Sequence, residues 1–215
     1  MPIKAAFFDL DGVAFDTEPQ YSIFWGGVCR HYHTEEPGLE RKIKGQTLVQ
    51  IFDAHFPDPE QQKDIVLGLN EYEANMSYDY VPGFVAYVKS LRDKGVKTAL
   101  VTSSNTPKMN AVYAAHPEFE GLFDAILTSE DFTESKPSPQ CYLMAAKRFN
   151  LTPAECMVFE DSFNGLRSAQ AAEMTVVGLT TTNSAESIKE LCDIAVANFQ
   201  NTTTLLGLLG QVANY

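Results

Sequence analysis

Six short apolar runs recur along the chain, at residues 3–8 (IKAAFF), 96–102 (VKTALVT), 123–128 (FDAILT), 156–160 (CMVFE), 175–179 (TVVGL) and 193–196 (DIAV). They are near-continuous rather than alternating, which is the pattern of strands buried on both faces of a parallel sheet. Helical stretches lie between them, at residues 83–94, 106–115, 139–149, 164–172, 184–191 and 202–209. From residue 83 onward strand and helix therefore alternate. Such alternation predicts βαβ units assembled into a doubly wound α/β sheet of the Rossmann-like kind.

Residues 15–81 break the rhythm. They hold no convincing strand, but helix signals are plain. Asp16-Thr17-Glu18-Pro19 offers capping side chains followed by Pro in the first turn. Two further helices are predicted at residues 40–56 and 59–76, parted by the Pro57-Asp58-Pro59 turn. The expected organisation is thus an α/β core from residues 1–14 and 82–215, with an all-α insert at 15–81.

Composition changes this picture little. The 215 residues are 45% hydrophobic, 11% aromatic and 20% charged, enough to bury a core without metal or disulfide staples. Charge is more informative: 16 Lys+Arg against 28 Asp+Glu leave a net −12, which disfavours a nucleic-acid partner. Any anionic substrate would then need positive charge gathered locally. Cys29, Cys141, Cys156 and Cys192 are far apart and form no C-x-x-C pair, so buried free thiols and a reducing cytoplasm are expected. No apolar stretch reaches membrane-spanning length, and the N-terminus has no secretory pattern.

The chemistry gathers where the predicted strands end. The first run leads into Asp9 and Asp11, the second into Thr102-Ser103-Ser104-Asn105, and the fourth into Glu160-Asp161; Lys136 precedes the helix at 139–149. Ligands of open α/β sheets bind at the carboxyl ends of the strands, where the strand order reverses. Clustered carboxylates repel one another unless a hard cation such as Mg²⁺ sits among them, sharing its shell with a phosphate. One aspartate can then attack phosphorus, and a second, two residues on, can protonate the leaving oxygen and later deprotonate water. A lysine and a hydroxyl would hold the phosphoryl oxygens.

Phe8-Asp9-Leu10-Asp11-Gly12-Val13, Thr102, Lys136-Pro137 and Glu160-Asp161-Ser162-x-x-Gly165 resemble, in order and spacing, the four motifs of the haloacid dehalogenase-like (HAD-like) phosphohydrolases. The insert resembles the small α-helical cap of the β-phosphoglucomutase and sugar-phosphatase branch. The resemblance implies that Asp9 is nucleophile and Mg²⁺ ligand, and that Asp11 is general acid/base and offers its backbone carbonyl to the metal. It further implies that Asp161 and, directly or through water, Glu160 complete the metal site, while Thr102, Ser103 and Lys136 bind the phosphoryl group. Ser135 and Glu173 stand where relatives commonly have Gly. His31, His33, His55 and His116 have no ligand spacing.

In the cap, Lys44-Gly45-Gln46-Thr47 resembles the branch's specificity loop, which makes Gly45, Gln46 and Tyr21 candidate substrate contacts; Trp25 fits either a contact or cap core. Mutases of the branch carry an Arg where this chain has Leu48 and a His where it has Tyr21. An apolar side chain cannot replace a bidentate phosphate clamp, although Lys42 or Lys44 could substitute as point charges. The expectation is a Mg²⁺-dependent phosphatase of a small sugar or polyol phosphate, a monomer or weak homo-oligomer with no membrane partner. The alternative is a β-phosphoglucomutase-like isomerase; a dehalogenase and a non-catalytic binding module rank below both.

Overall fold

The computed structural model describes residues 2–43 and 47–211. Six parallel strands form one sheet in the order β3-β2-β1-β4-β5-β6. They are β1 (Ala5–Phe8), β2 (Lys97–Val101), β3 (Ala125–Leu127), β4 (Cys156–Glu160), β5 (Thr175–Leu179) and β6 (Ile194–Val196). The α/β expectation holds: β4 and β5 keep their predicted bounds and the other strands are one to three residues shorter. The chain builds outward from β1 to β3, then returns to lay β4 against the other side of β1. That reversal leaves a crevice at the carboxyl ends of β1 and β4.

Every residue of β1 is buried, because both faces of the sheet are covered. On one face Phe8 stacks on Phe159 at 4.7 Å and meets Phe84 and Tyr87 edge-on. On the other, Phe7 joins Val101, Tyr142, Val158 and Leu166 in a second apolar cluster. The helices that supply these layers are α5 (Phe84–Asp93), α6 (Thr106–Ala115), α7 (Gln140–Arg148), α8 (Phe163–Ala171), α9 (Ala185–Ile188) and α10 (Thr202–Gln211). Glu173, at φ 58°, takes the left-handed conformation that explains a Gly at this turn in relatives.

Between β1 and α5 lie four helices: α1 (Glu18–Tyr32), α2 (Leu39–Lys42), α3 (Leu48–His55) and α4 (Pro59–Asn75). They have their own core of Trp25, Cys29, Leu39, Ile43, Ile51, Phe56 and Ile65. The single helix expected at 40–56 is two. Thr47 starts α3 with a capping box: its hydroxyl accepts from Gln50 N, and the Gln50 side chain accepts from Thr47 N. Those reciprocal bonds satisfy amide donors that a continuing helix would have used. Asp58 caps α4 through Glu60 N at 3.0 Å, with Pro59 in the first turn, as the Pro-Asp-Pro turn predicts.

The four cysteines are free thiols, and Cys29, Cys141 and Cys156 are buried. His33 and His116 bond backbone carbonyls of His55 and Tyr78. Among the described residues, no helix is long and apolar enough to cross a membrane.

Candidate active site

Asp9 follows β1 directly, and its amide bonds Phe159 O of β4, so strand register sets it beside Glu160. The carboxylate oxygens of Asp9, Glu160 and Asp161 come within 4.8 Å of one another. Lys136 reaches in from the loop before α7. Its Nζ donates to Asp9 Oδ1 at 2.8 Å, Glu160 Oε1 at 2.6 Å and Val101 O at 3.1 Å. Three donors thus meet three acceptors, and the ammonium is almost wholly buried.

Glu160 is fully buried and both its oxygens are engaged. Oε1 also accepts from Tyr142 OH at 2.8 Å, while Oε2 accepts from Asp161 N and from the amide and hydroxyl of Ser162. Its visible work is to hold Lys136. Asp161 is gripped from the loop after β5: Thr182 Oγ1 donates to Oδ2, and Asn183 Nδ2 to the backbone carbonyl. Two glycines make room. A Cβ at Gly165 would lie 1.9 Å from the Glu160 carboxylate, and one at Gly12 2.0 Å from Asp161 Oδ2.

The electrostatics follow from burial. Burial pushes the Asp9 carboxyl up to about 7, with Lys136 opposing and Glu160 reinforcing the shift. Asp161 is driven well above the carboxylate range by burial, then by Glu160 and Asp9. For Lys136 burial works against the charge, but Asp9 and Glu160 outweigh it and hold the ammonium protonated.

Asp11 lines the same cavity. Its Oδ1 accepts from Thr17 Oγ1 at 2.7 Å; its Oδ2 accepts from Ser104 Oγ at 3.4 Å and from Lys108 Nζ. Thr17 was expected to cap α1, but no cap bond forms and the hydroxyl serves Asp11 instead. Thr102 is buried and its hydroxyl accepts from Ser104 N at 3.0 Å; Ser103 lines the cavity beside it. Tyr21 donates to Glu73 Oε1 at 2.7 Å and accepts from Lys108 Nζ. Trp25 belongs to the insert's core, edge-on to Phe24, and presents part of its ring to the cavity. Lys42 pairs with Glu36. Gly45, Gln46 and Lys44 lie outside the described residues.

The cavity, about 440 Å³, has a polar floor from the strand ends and a largely apolar roof from Trp25, Ile43, Leu48, Ile51, Val66 and Leu69. Sequence reasoning missed Lys108, Glu73, Tyr142, Thr182 and Asn183. Three of these left a trace. Thr180-Thr181-Thr182-Asn183 follows a strand at the ligand-binding edge. Lys108 places a cation in the first turn of α6, where the helix dipole disfavours it.

Fold and site together define a doubly wound α/β protein with carboxylates clustered at the ends of neighbouring strands. The chain belongs to the haloacid dehalogenase-like hydrolases, whose family profile matches residues 3–173. It is 31% identical over 200 residues to YhcW of Bacillus subtilis (strain 168), covering 81% of this chain and 82% of that one. It is 26% identical to hexitol phosphatase A of Escherichia coli (strain K12), over 94% of each chain. The solved structure of a HAD hydrolase, family IA, variant 3, from Entamoeba histolytica HM-1:IMSS superimposes with a TM-score of 0.85 at 21% identity, covering 99% of this chain and all of that one.

Proposed function

We propose that the protein is a Mg²⁺-dependent phosphatase of a small phosphate monoester, a sugar or polyol phosphate, acting through an aspartyl phosphate on Asp9. The observation that carries this reading is the pair Asp9 and Asp11. Both leave the end of β1 toward one cavity, Asp9 against Lys136 and Asp11 against Thr17, Ser104 and Lys108. Both carboxylates thus line one cavity, each held by its own set of donors. The similarity to hexitol phosphatase A supports the substrate class.

The residues fit a hard divalent cation. Half-buried Asp9 and buried Asp161 offer oxygen ligands within 4.8 Å, and burial leaves Asp161 short of compensating charge. Asp9, Asp161 and the Asp11 carbonyl would hold the ion, with Glu160 behind them. Bound there, Mg²⁺ neutralises charge on the phosphoryl oxygens. Asp9 attacks phosphorus as the P–O bond to the alcohol breaks, and the electron pair stays on the departing oxygen. Asp11 gives that oxygen its proton, then takes one from the water that attacks the aspartyl phosphate. Lys136, Thr102 and Ser103 hold the phosphoryl oxygens meanwhile.

Residues 15–81 act as a cap over this site, and product release requires them to move. The apolar roof and the buried Glu73 suit a compact, uncharged alcohol and disfavour a second phosphate, with Leu48 in place of a clamp. The free thiols fit a cytoplasmic protein, monomeric or weakly self-associating, and the net charge of −12 disfavours nucleic-acid and membrane partners.

Phosphate release from a panel of small esters with Mg²⁺, including β-glucose 1-phosphate with and without its bisphosphate, tests the reading. Release from a few compact esters, abolished in Asp9→Asn with the fold intact, is expected. Conversion of glucose 1-phosphate to its 6-isomer without net release would replace the phosphatase by a mutase.

A further inference from the structure

Lys108 is a buried cation that the chemistry above does not consume. It is 4% exposed, projects from the first turn of α6, and its amide bonds the capping Asn105 side chain at 3.1 Å. Its Nζ donates to Asp11 Oδ2 and to Tyr21 Oη, lies 3.9 Å from Glu73 Oε1, and stands 4.7 Å from the centre of the Tyr21 ring. Burying an ammonium is costly, and the helix dipole adds to the cost at this end of α6. Two carboxylates and a phenol oxygen offset it. One of those carboxylates is the acid that must meet the leaving group.

We propose that Lys108 is the positioning residue of the general acid, fixing the Asp11 carboxylate and, through Tyr21 and Glu73, tying it to the inserted helices. The assignment rests on the phosphatase reading. Asp11 lies beyond the strand, on a loop, with its side chain 25% exposed. Thr17 fixes Oδ1. Without Lys108, Oδ2 would keep only the long bond from Ser104, at 3.4 Å, and the carboxylate would be free to swing. Tyr21 belongs to α1 and Glu73 to α4, so the same ammonium joins the acid to two helices of the insert. Proton delivery to the departing oxygen therefore depends on how those helices are seated. Lys108 touches neither phosphorus nor Asp9.

Proton donation matters in proportion to the basicity of the leaving group. An alkoxide needs the proton; p-nitrophenolate leaves almost without it. General acids contribute about 10²–10⁴-fold, so a misplaced one should forfeit part of that. In Lys108→Met, kcat/KM for an alkyl phosphate that the enzyme cleaves, which reports transfer to Asp9 and not the later hydrolysis, should fall about 10–10²-fold, while kcat/KM for p-nitrophenyl phosphate changes less than about threefold. Asp11→Asn should show the same split, larger. Adding Lys108→Met to Asp11→Asn should cost nothing further, because both act through one proton transfer.

Tyr21→Phe, which removes a single hydroxyl, should show a smaller split of the same sense and serves where Lys108→Met does not fold. Equal losses on both esters, or losses that multiply in the double variant, would overturn the assignment and make Lys108 structural or a substrate contact. A wild-type chain inactive on every ester would instead refute the phosphatase reading, and the role of Lys108 would fall with it.

Discussion

Glu73 is the buried acid farthest from the reacting groups, and it has a measurable signature. Burial raises its carboxyl above the ordinary range; Lys108 and the Tyr21 hydroxyl oppose the shift and Asp11 adds to it. A carboxyl raised in the folded state contributes stability that is complete below its unfolded pKa and is lost as pH rises through the folded one. Glu73→Gln keeps an acceptor for Tyr21 and removes that loss. Its urea midpoint should exceed the wild type's at about pH 8 and match it at about pH 4. A lower midpoint at the higher pH would mean that the Lys108–Glu73 pairing outweighs the burial penalty. Glu73 itself left no sign in the sequence, since one Glu on a mostly polar helix reads as a solvated face. Asp9, Asp11 and Asp161 were legible because each closes or follows an apolar run, and Lys136 because Lys136-Pro137 stands in the loop before a helix. Lys108 left only the trace of a misplaced charge, and its partner was hidden because Asp11 is 97 residues distant in the chain.

The elements bring these residues together, and α8 is the one most sensitive to change. Ser162 caps it by accepting from Gly165 N at 3.0 Å, and Gly165 packs directly beneath the Glu160 carboxylate. Ala suits a helix interior better than Gly, so Gly165→Ala would ordinarily stabilise. Here the added carbon would strike Glu160, displace Lys136 and misalign Asp9. We expect kcat to fall on the order of 10²-fold, as a misplacement of about 1 Å can cost, with KM for the ester altered much less. Unchanged kcat would show that Glu160 can move without carrying Lys136. Strands and core helices were legible because burial on both faces leaves near-continuous apolar runs. The break between α2 and α3 was not: Ile43, Leu48 and Ile51 keep an apolar face across it. The Thr47-x-x-Gln50 capping pattern was the available signal.

Across the whole molecule, an acidic exterior surrounds a site in which, among the described residues, the two cations Lys108 and Lys136 are both buried and both committed to carboxylates. Strand order sets Asp9 beside Glu160, loops after β2 and β5 supply Ser104 and Thr182, and the insert closes the other side with its own core. The sheet order was implicit in the βαβ rhythm, whereas the contacts between insert and core were not, because they join segments with no shared periodicity. The central claim is that Asp9 carries the phosphoryl group between substrate and water. Its most direct test is to mix the protein with Mg²⁺ and a cleavable ester, quench in acid within milliseconds, and weigh the peptide that contains Asp9. One phosphoryl group is expected on Asp9, present before free phosphate accumulates and absent from Asp9→Asn. Phosphate release with no modification of Asp9, or at an undiminished rate from Asp9→Asn, would contradict it.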